Sequence, residues 1–335
     1  METKFFSNQT TRREILRTSG VLAGAGVMAG LVPSSLFAQP KTRTANLQQV
    51  ASSADRLAQM KAGWASRPLE TAKLRDNIYL LSGPGGNMVV LSGADGKVLV
   101  DSGVAPAAPK IKQAMDGFGG GPLKVLINTH WHFDHTDGNE AMHQAGAVII
   151  AHENTRKRLS TPQDIALFSL HFDPAPAAAW PQQTFAEGTK LYLNGDQLTL
   201  AYIPPAHTDS DICIRYENGN VLHMGDVWFN GTYPVIDASS GGNIDGMIAG
   251  TARGLSLADA ETKIVPGHGP VGDKAALAKH HDMLVTVRDR VHALKAAGKS
   301  KDEAVAAKPT ADLDGTWGKG SINGDLFTTL VYTTL

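Results

Sequence analysis

The sequence predicts an α+β fold in which two β-sheets pack face to face with helices on their outer sides. Two observations carry this. Short strand-like runs followed by helical stretches occur twice, over 77–160 and over 189–297, and two such halves can bury their apolar faces against each other. The runs are rich in β-branched residues and bounded by Gly, Asn and Asp, the punctuation of strands joined by hairpins and turns. With 335 residues, 42% of them hydrophobic and 19% charged, the chain is long enough for one large core or two small ones.

Residues 1–38 read as a signal peptide. Arg12-Arg13 and Ile15-Leu16 precede the mild apolar run "VLAGAGVMAGLV" and then "PSSLFAQP", the layout of a charged start, an apolar middle and a cleavage site. The paired arginines resemble a twin-arginine export signal, with Thr for the usual Ser and Ile for the usual Phe. A membrane anchor fits less well, because the run is short and rich in Gly and Ala. The expectation is cleavage after Ala38, passage through the twin-arginine machinery and a periplasmic or secreted product. Residues 39–73 read as a polar connector followed by a helix within 41–66.

The catalytic domain is expected over 74–300. "NIYLLSG", "NMVVLSG" and "KVLVDSG" are strands, followed by a helix at 106–117 with Pro106 in its first turn. "LKVLINT" is a buried strand, 138–145 a helix, "AVIIAH" a strand and 153–160 a helix. Residues 161–183, rich in Pro and Ala, cannot stay regular for long, and a loop of that length suits a lid. Four further strands follow, "TKLYLNG", "DQLTLAYIPP", "DICIRYE" and "NVLHMGD", and a fifth, "TKIVPGHG". An amphipathic helix spans 273–297, and residues 301–335 form a C-terminal extension packed on the domain.

The net charge of −1 favours neither nucleic acid nor acidic membranes. A single cysteine, Cys213, excludes an intrachain disulfide and a cysteine-rich zinc module. It lies mid-strand and reads as a small buried residue. No feature of the sequence specifies an oligomeric state.

The chemistry is concentrated in "NTHWHFDHTDGN", where three histidines and two aspartates fall between His130 and Asp137. On an extended segment, His130, His132 and Asp134 share one side while His135 turns away beside Asp134. Neutral imidazoles bind metal ions readily, so His130 and His132 can hold one ion, with Asp134 and His135 on a second. Further ligands are available where other predicted strands run out into loops: His207, Asp226 and His268. Each alone is an ordinary loop residue, and Asp226 alone could cap a turn. Four strand ends offering His or Asp together point to metal. The other seven histidines lack this placement and read as surface or packing residues, with His171, in the expected lid, as the exception to watch.

"HWHFDH", "AHTDSD", "MGD" and "PGHG", in that order, resemble the metallo-β-lactamase superfamily of metal-dependent hydrolases, and "LVDSG" at 99–103 matches it too. The resemblance covers nearly all of 74–297. It implies a four-layer αββα sandwich and two Zn2+ per chain, with iron or manganese as alternatives. It places His130, His132 and His207 on the first ion, Asp134, His135 and His268 on the second, and Asp226 between them. Asp101 would fix the ligand loop by hydrogen bonding, or else is a strand-end aspartate in a turn.

Two close cations would hold a shared water as hydroxide and polarise a carbonyl oxygen, with Asp134 accepting or returning a proton. The expected reaction is hydrolysis of an ester, lactone, thioester or amide of a small molecule. An aspartate at the bridging position, as in the glyoxalase-type thioesterases and the lactonases, weighs against a true β-lactamase, but β-lactam hydrolysis stays an alternative. A mononuclear iron enzyme resembling the persulfide dioxygenases, held by His130, His207 and Asp226, remains an alternative. So does a non-catalytic binding protein. Lactonases of the family often place a tyrosine by the carbonyl; Tyr233 is the candidate here, with a packing tyrosine as the other reading. The loop 229–246, with Phe229 and Tyr233 in it and Trp228 just before it, is expected to wall the pocket.

Overall fold

The computed structural model describes residues 52–335; the expected signal peptide and most of the connector lie outside the described residues. In chain order, α1 (Ser53–Ser66) leads into β1 (Glu70–Arg75), β2 (Ile78–Gly83), β3 (Gly85–Leu91) and β4 (Lys97–Val100). Then come α2 (Ala108–Asp116), β5 (Leu123–Ile127), α3 (Phe133–Thr136), α4 (Asn139–Gln144), β6 (Val148–His152) and α5 (Glu153–Leu159). A small hairpin, β7 (Gln163–Ile165) and β8 (Leu170–Phe172), precedes β9 (Gln183–Phe185). The second half holds β10 (Gly188–Leu193), β11 (Asp196–Tyr202), β12 (Ile212–Tyr216), β13 (Val221–His223), α6 (Ile244–Leu257) and β14 (Lys263–Val265). It closes with α7 (Lys274–Ala296), α8 (Lys301–Ala306), α9 (Asp314–Trp317) and α10 (Gly324–Thr334).

Seven strands form one sheet in the order β1-β2-β3-β4-β5-β6-β9, and five form another, β10-β11-β12-β13-β14. The first sheet is antiparallel from β1 to β4 and parallel from β4 to β9. The second is antiparallel except for the parallel β13–β14 pair.

Strand alternation sets the layers. In β3, Val89 and Leu91 pack with Leu198, Leu200 and Ile214 of the opposite sheet. Their neighbours Met88 and Val90 point the other way, onto Ile111 and Met115 of α2. A strand buried on both faces reads as a continuous apolar run rather than an alternating one. In β12, Ile212 and Ile214 face the inter-sheet core while Cys213 packs with Met247 of α6 and Leu284 and Val287 of α7. The result is helices, sheet, sheet, helices: the αββα sandwich. Cys213 is a buried packing residue, its thiol pushed up to about 11 by burial.

The expected domain start at residue 74 falls inside β1, which pairs with β2 along its length. The helix expected within 41–66 starts at Ser53, where Ser52 and Asp55 form a capping box. The extension is mostly helical: Phe327, Leu330 and Val331 of α10 join the cluster of Leu284, Val287 and Val291 on α7.

Candidate metal centre

β5 ends at Ile127, and the chain turns through His130 into α3, with His132 as the residue before the first helical turn. The extended geometry expected for this motif does not hold. Asp134 and His135 sit on a helical turn, and that turn, not a two-residue alternation, separates them from His130 and His132. The strand ends also belong to two sheets. His207 follows β11, Asp226 follows β13 and His268 follows β14, all in the five-stranded sheet. The seven candidate ligands therefore meet where one edge of each sheet opens onto loops.

They fall into two groups. Ligand atoms of His130, His132, His207 and Asp226 lie within 4.8 Å of one another, as do those of Asp134, His135 and His268. His207 Nε2 is 2.9 Å from His132 Nδ1, and His268 Nε2 is 3.2 Å from Asp134 Oδ2. Asp226 reaches both groups. Its Oδ2 lies 3.4 Å from His207 Nε2 and 3.4 Å from His268 Nε2, and its Oδ1 lies 3.1 Å from His135 Nε2. His130 Nε2 and Asp226 Oδ1 are buried and make no hydrogen bond. A buried lone pair without a hydrogen bond is costly, and that of His130 Nε2 lies 3.9 Å from Asp226 Oδ2. Imidazole nitrogens and carboxylate oxygens in these numbers suit a first-row divalent ion, so the residues fit a metal pair.

The electrostatics divide the same way. Burial, then the charge of His135, holds His130 well below the usual imidazole range. Burial lowers His207 to about 4. Both are neutral imidazoles with a lone pair to donate. For His268, burial works against the proton, but Asp226 and Asp134 outweigh it and raise the ring to about 9. His135 is raised well above its usual value, as Asp226, Asp101 and Asp134 overcome burial. Asp134 falls to about 2, since His135 and His268 overcome its burial. The carboxylates thus draw positive charge to this half of the centre, and ligand protons there compete with a cation.

Asp101 holds the ligand loop. Its carboxylate accepts from the Thr129 backbone N–H at 2.8 Å, from the Thr129 hydroxyl at 2.8 Å and from His135 Nδ1 at 2.7 Å. It does so with a left-handed φ of 59°, a strain that persists only where the surroundings over-determine it.

Three supporting residues had no reading of this kind in the sequence. Asp237 accepts from His132 Nε2 at 3.0 Å. Asp211 accepts from the backbone N–H of His207 and of Thr208 at 2.7 and 2.9 Å. Asn87 Nδ2 donates to the carbonyls of Pro266 and Gly269, tying β3 to the loop that carries His268. Asp211 stands within "AHTDSD" and was open to such a reading; Asp237 and Asn87 carry no local signal linking them to histidines so distant in sequence. Gly267 has a positional role as well: a Cβ there would collide with Asp226 Oδ1.

Tyr233 is not at the site. It is 1% exposed, stacks on Phe327 with ring centroids 4.6 Å apart, and donates its hydroxyl to Asp314 Oδ1 at 2.9 Å. The C-terminal extension captures it, which the sequence of the loop alone does not reveal. Trp228 is likewise core. Phe229 does reach the centre, its ring 5.0 Å from that of His268. In the expected lid, His171 is exposed and pairs with Asp164 at 2.8 Å, while Ile165 and Leu170 of the hairpin pack with Trp131.

Residues 81–282 match the family model of the metallo-β-lactamase superfamily. Among curated proteins, the acyl-coenzyme A thioesterase MBLAC2 of Gallus gallus is 26% identical over 220 residues, covering 61% of this chain and 76% of that one. The hydroxyacylglutathione hydrolase of a Polaromonas species is 26% identical over 194 residues, covering 55% of this chain and 66% of that one. The solved structure of a metallo-β-lactamase from Pontibacter korlensis shares the fold, with a TM-score of 0.54, 21% identity, and coverage of 65% of this chain and 99% of that one. With a family match over more than half its length, and with its metal-ligating side chains gathered at one sandwich edge, the chain belongs to the metallo-β-lactamase superfamily and is a metallohydrolase.

Proposed function

We propose that this chain is a binuclear zinc hydrolase that cleaves a thioester or ester bond of a small molecule. The observation that carries this is the pair of ligand groups joined by Asp226. His130, His132 and His207 would hold one ion, Asp134, His135 and His268 the other, and Asp226 both. When bound, such ions supply Lewis acidity toward a carbonyl oxygen and lower the pKa of water.

The chain's own groups do the rest. Asp134 and His268 keep 13% and 20% of their side chains exposed, so substrate approaches from their edge. Asp134 Oδ2 would take a proton from the attacking water and return it to the departing thiolate or alkoxide. Asp101 and Asp237 orient His135 and His132 through the nitrogens that face away from the centre. No covalent nucleophile is needed, and Cys213 lies on the helix-covered side of the second sheet. One relative is named for thioester cleavage and the other for hydrolysis of an acylglutathione, which supports a thioester over a lactam.

The test is turnover by zinc-loaded protein of a short acyl thioester, an aliphatic lactone and a cephalosporin, with metal content measured on the same sample. Enzyme-like thioester or lactone cleavage with two metal equivalents is expected. Faster opening of the cephalosporin would make it a β-lactamase. One iron per chain with no hydrolysis would replace the proposal with an iron enzyme. Export is part of the proposal: fractionation of cells making the full chain should place it outside the cytoplasm, and a cytoplasmic product shortened by nothing at its start would remove that part.

A further inference from the structure

We propose that Trp64 and Arg67 form an anion-reading rim of the substrate site, selecting thioesters or esters that carry a carboxylate or phosphate. This rests on the hydrolase reading above and names its substrate class more closely. Both residues precede the family-matched segment 81–282, yet they stand at the centre's open edge. The ring of Trp64 lies 5.6 Å from that of His268, tilted by 36°. His268 thus has two aromatic neighbours, Trp64 and, 5.0 Å away, Phe229. A substrate reaching the exposed faces of His268 and Asp134 passes this aromatic pair.

Arg67 supplies the charge. Its guanidinium carbon sits 3.6 Å above the centroid of the Trp64 ring. It has no hydrogen bond or ion pair through its guanidinium, and it is the arginine without an oxygen partner among the described residues; Arg158, Arg288 and Arg290 each pair with a carboxylate. A stacked guanidinium is oriented while its N–H groups remain free to meet a carboxylate or phosphate in a fork.

The rim is held in place. Lys110 Nζ donates to the carbonyls of Ala65 and Arg67 at 2.8 and 2.6 Å. Lys61 pairs with Asp137 at 2.5 Å, and Leu57 and Met60 pack on the cluster of Trp131, Ile165 and Leu170. The adjoining chain also abuts the centre's own scaffold: a Cβ at Gly83 would strike Pro68, and one at Gly85 would strike the backbone of Asp134. The positive charge therefore stands one aromatic ring away from His268.

The experiment uses two pairs of short acyl thioesters on the metal-loaded full-length protein, read by thiol release. In one pair a carboxylate stands on the acyl part and in the other on the thiol part; each is set against its carboxamide isostere. The wild type should prefer the carboxylate in at least one pair by about tenfold in kcat/KM, and added salt should shrink that preference. Arg67→Gln should abolish it by raising KM for the carboxylates. Trp64→Ala should raise KM for both members and, by releasing the stacked guanidinium, weaken the carboxylate preference as well. Equal rates within both pairs, or a preference that survives in Arg67→Gln, overturns the proposal. Where no thioester is cleaved, the hydrolase reading of the bond is wrong, and calorimetric binding of the matching thioethers decides the rim separately. Tighter binding of the carboxylate to wild type than to Arg67→Gln upholds it; equal binding overturns it.

Discussion

Asp237 Oδ2 accepts a hydrogen bond from His132 Nε2 at 3.0 Å, while His132 Nδ1 faces His207 Nε2 at 2.9 Å. One ring therefore has its donor nitrogen held by a carboxylate and its lone-pair nitrogen turned to the centre, which fixes both tautomer and orientation. Ser239 N–H and the Ser240 hydroxyl donate to the same carboxylate, so Asp237 is itself held. Asp237→Ala is expected to lower metal affinity by about 10- to 100-fold with little change in fold. Chelator competition on wild type and variant checks this, and Asp237→Asn should recover part of the loss. Unchanged affinity would make the contact incidental.

Asp226 is the side chain that touches both ligand groups. Asp226→Ala should abolish turnover and lower the metal content of the purified protein, as should His132→Ala. Metal analysis alongside rates distinguishes a lost ligand from a lost proton carrier: Asp134→Asn should depress the rate more than the metal content.

Gly267 leaves room for the Asp226 carboxylate, and any Cβ there meets both Asp226 Oδ1 and the Gly225 backbone. Gly267→Ala should cost about 1–3 kcal/mol of stability and reduce metal content together. A stable, fully loaded variant would mean Asp226 lies elsewhere.

His280 gives a pH-dependent stability separate from the ligand residues. It is fully buried on α7, neither ring nitrogen is hydrogen-bonded, and its ring packs 5.6 Å from Trp317. Burial, then the charge of His281, lowers it from 6.5 to about 3. Above pH 6.5 the stability is whole, because neither folded nor unfolded chain takes up this proton. As the pH falls from 6.5 toward 3, only the unfolded chain is protonated, and stability drops by about 1.4 kcal/mol per pH unit. His280→Leu should flatten that part of the slope, seen as a smaller loss of unfolding midpoint between pH 7 and pH 5. Parallel losses in the two proteins would refute the assignment.

Tyr233 separates packing from catalysis. Tyr233→Phe removes the hydrogen bond to Asp314 and should cost about 1 kcal/mol of stability, with kcat and KM unchanged. A large fall in kcat in a folded variant would return the tyrosine to the site.

The chain's local patterns determined the fold class and the seven candidate ligands. Apolar runs such as "NMVV" and "DICI", bounded by turn residues, read as strands, and His or Asp at successive strand ends is visible in the order of residues alone. What the pattern could not say is which strand ends meet. The HxHxDH stretch looked extended because alternation is a local rule, yet α3 begins at Phe133 and turns Asp134 and His135 together. Asp237 acts on His132 across 105 residues, Trp64 on His268 from outside the matched segment, and Tyr233 is claimed by Asp314 and Phe327 of the C-terminal extension. Each depends on the packing of elements far apart in the chain, where hydrogen-bond and ring geometry, rather than residue type, decides which neighbour a side chain takes.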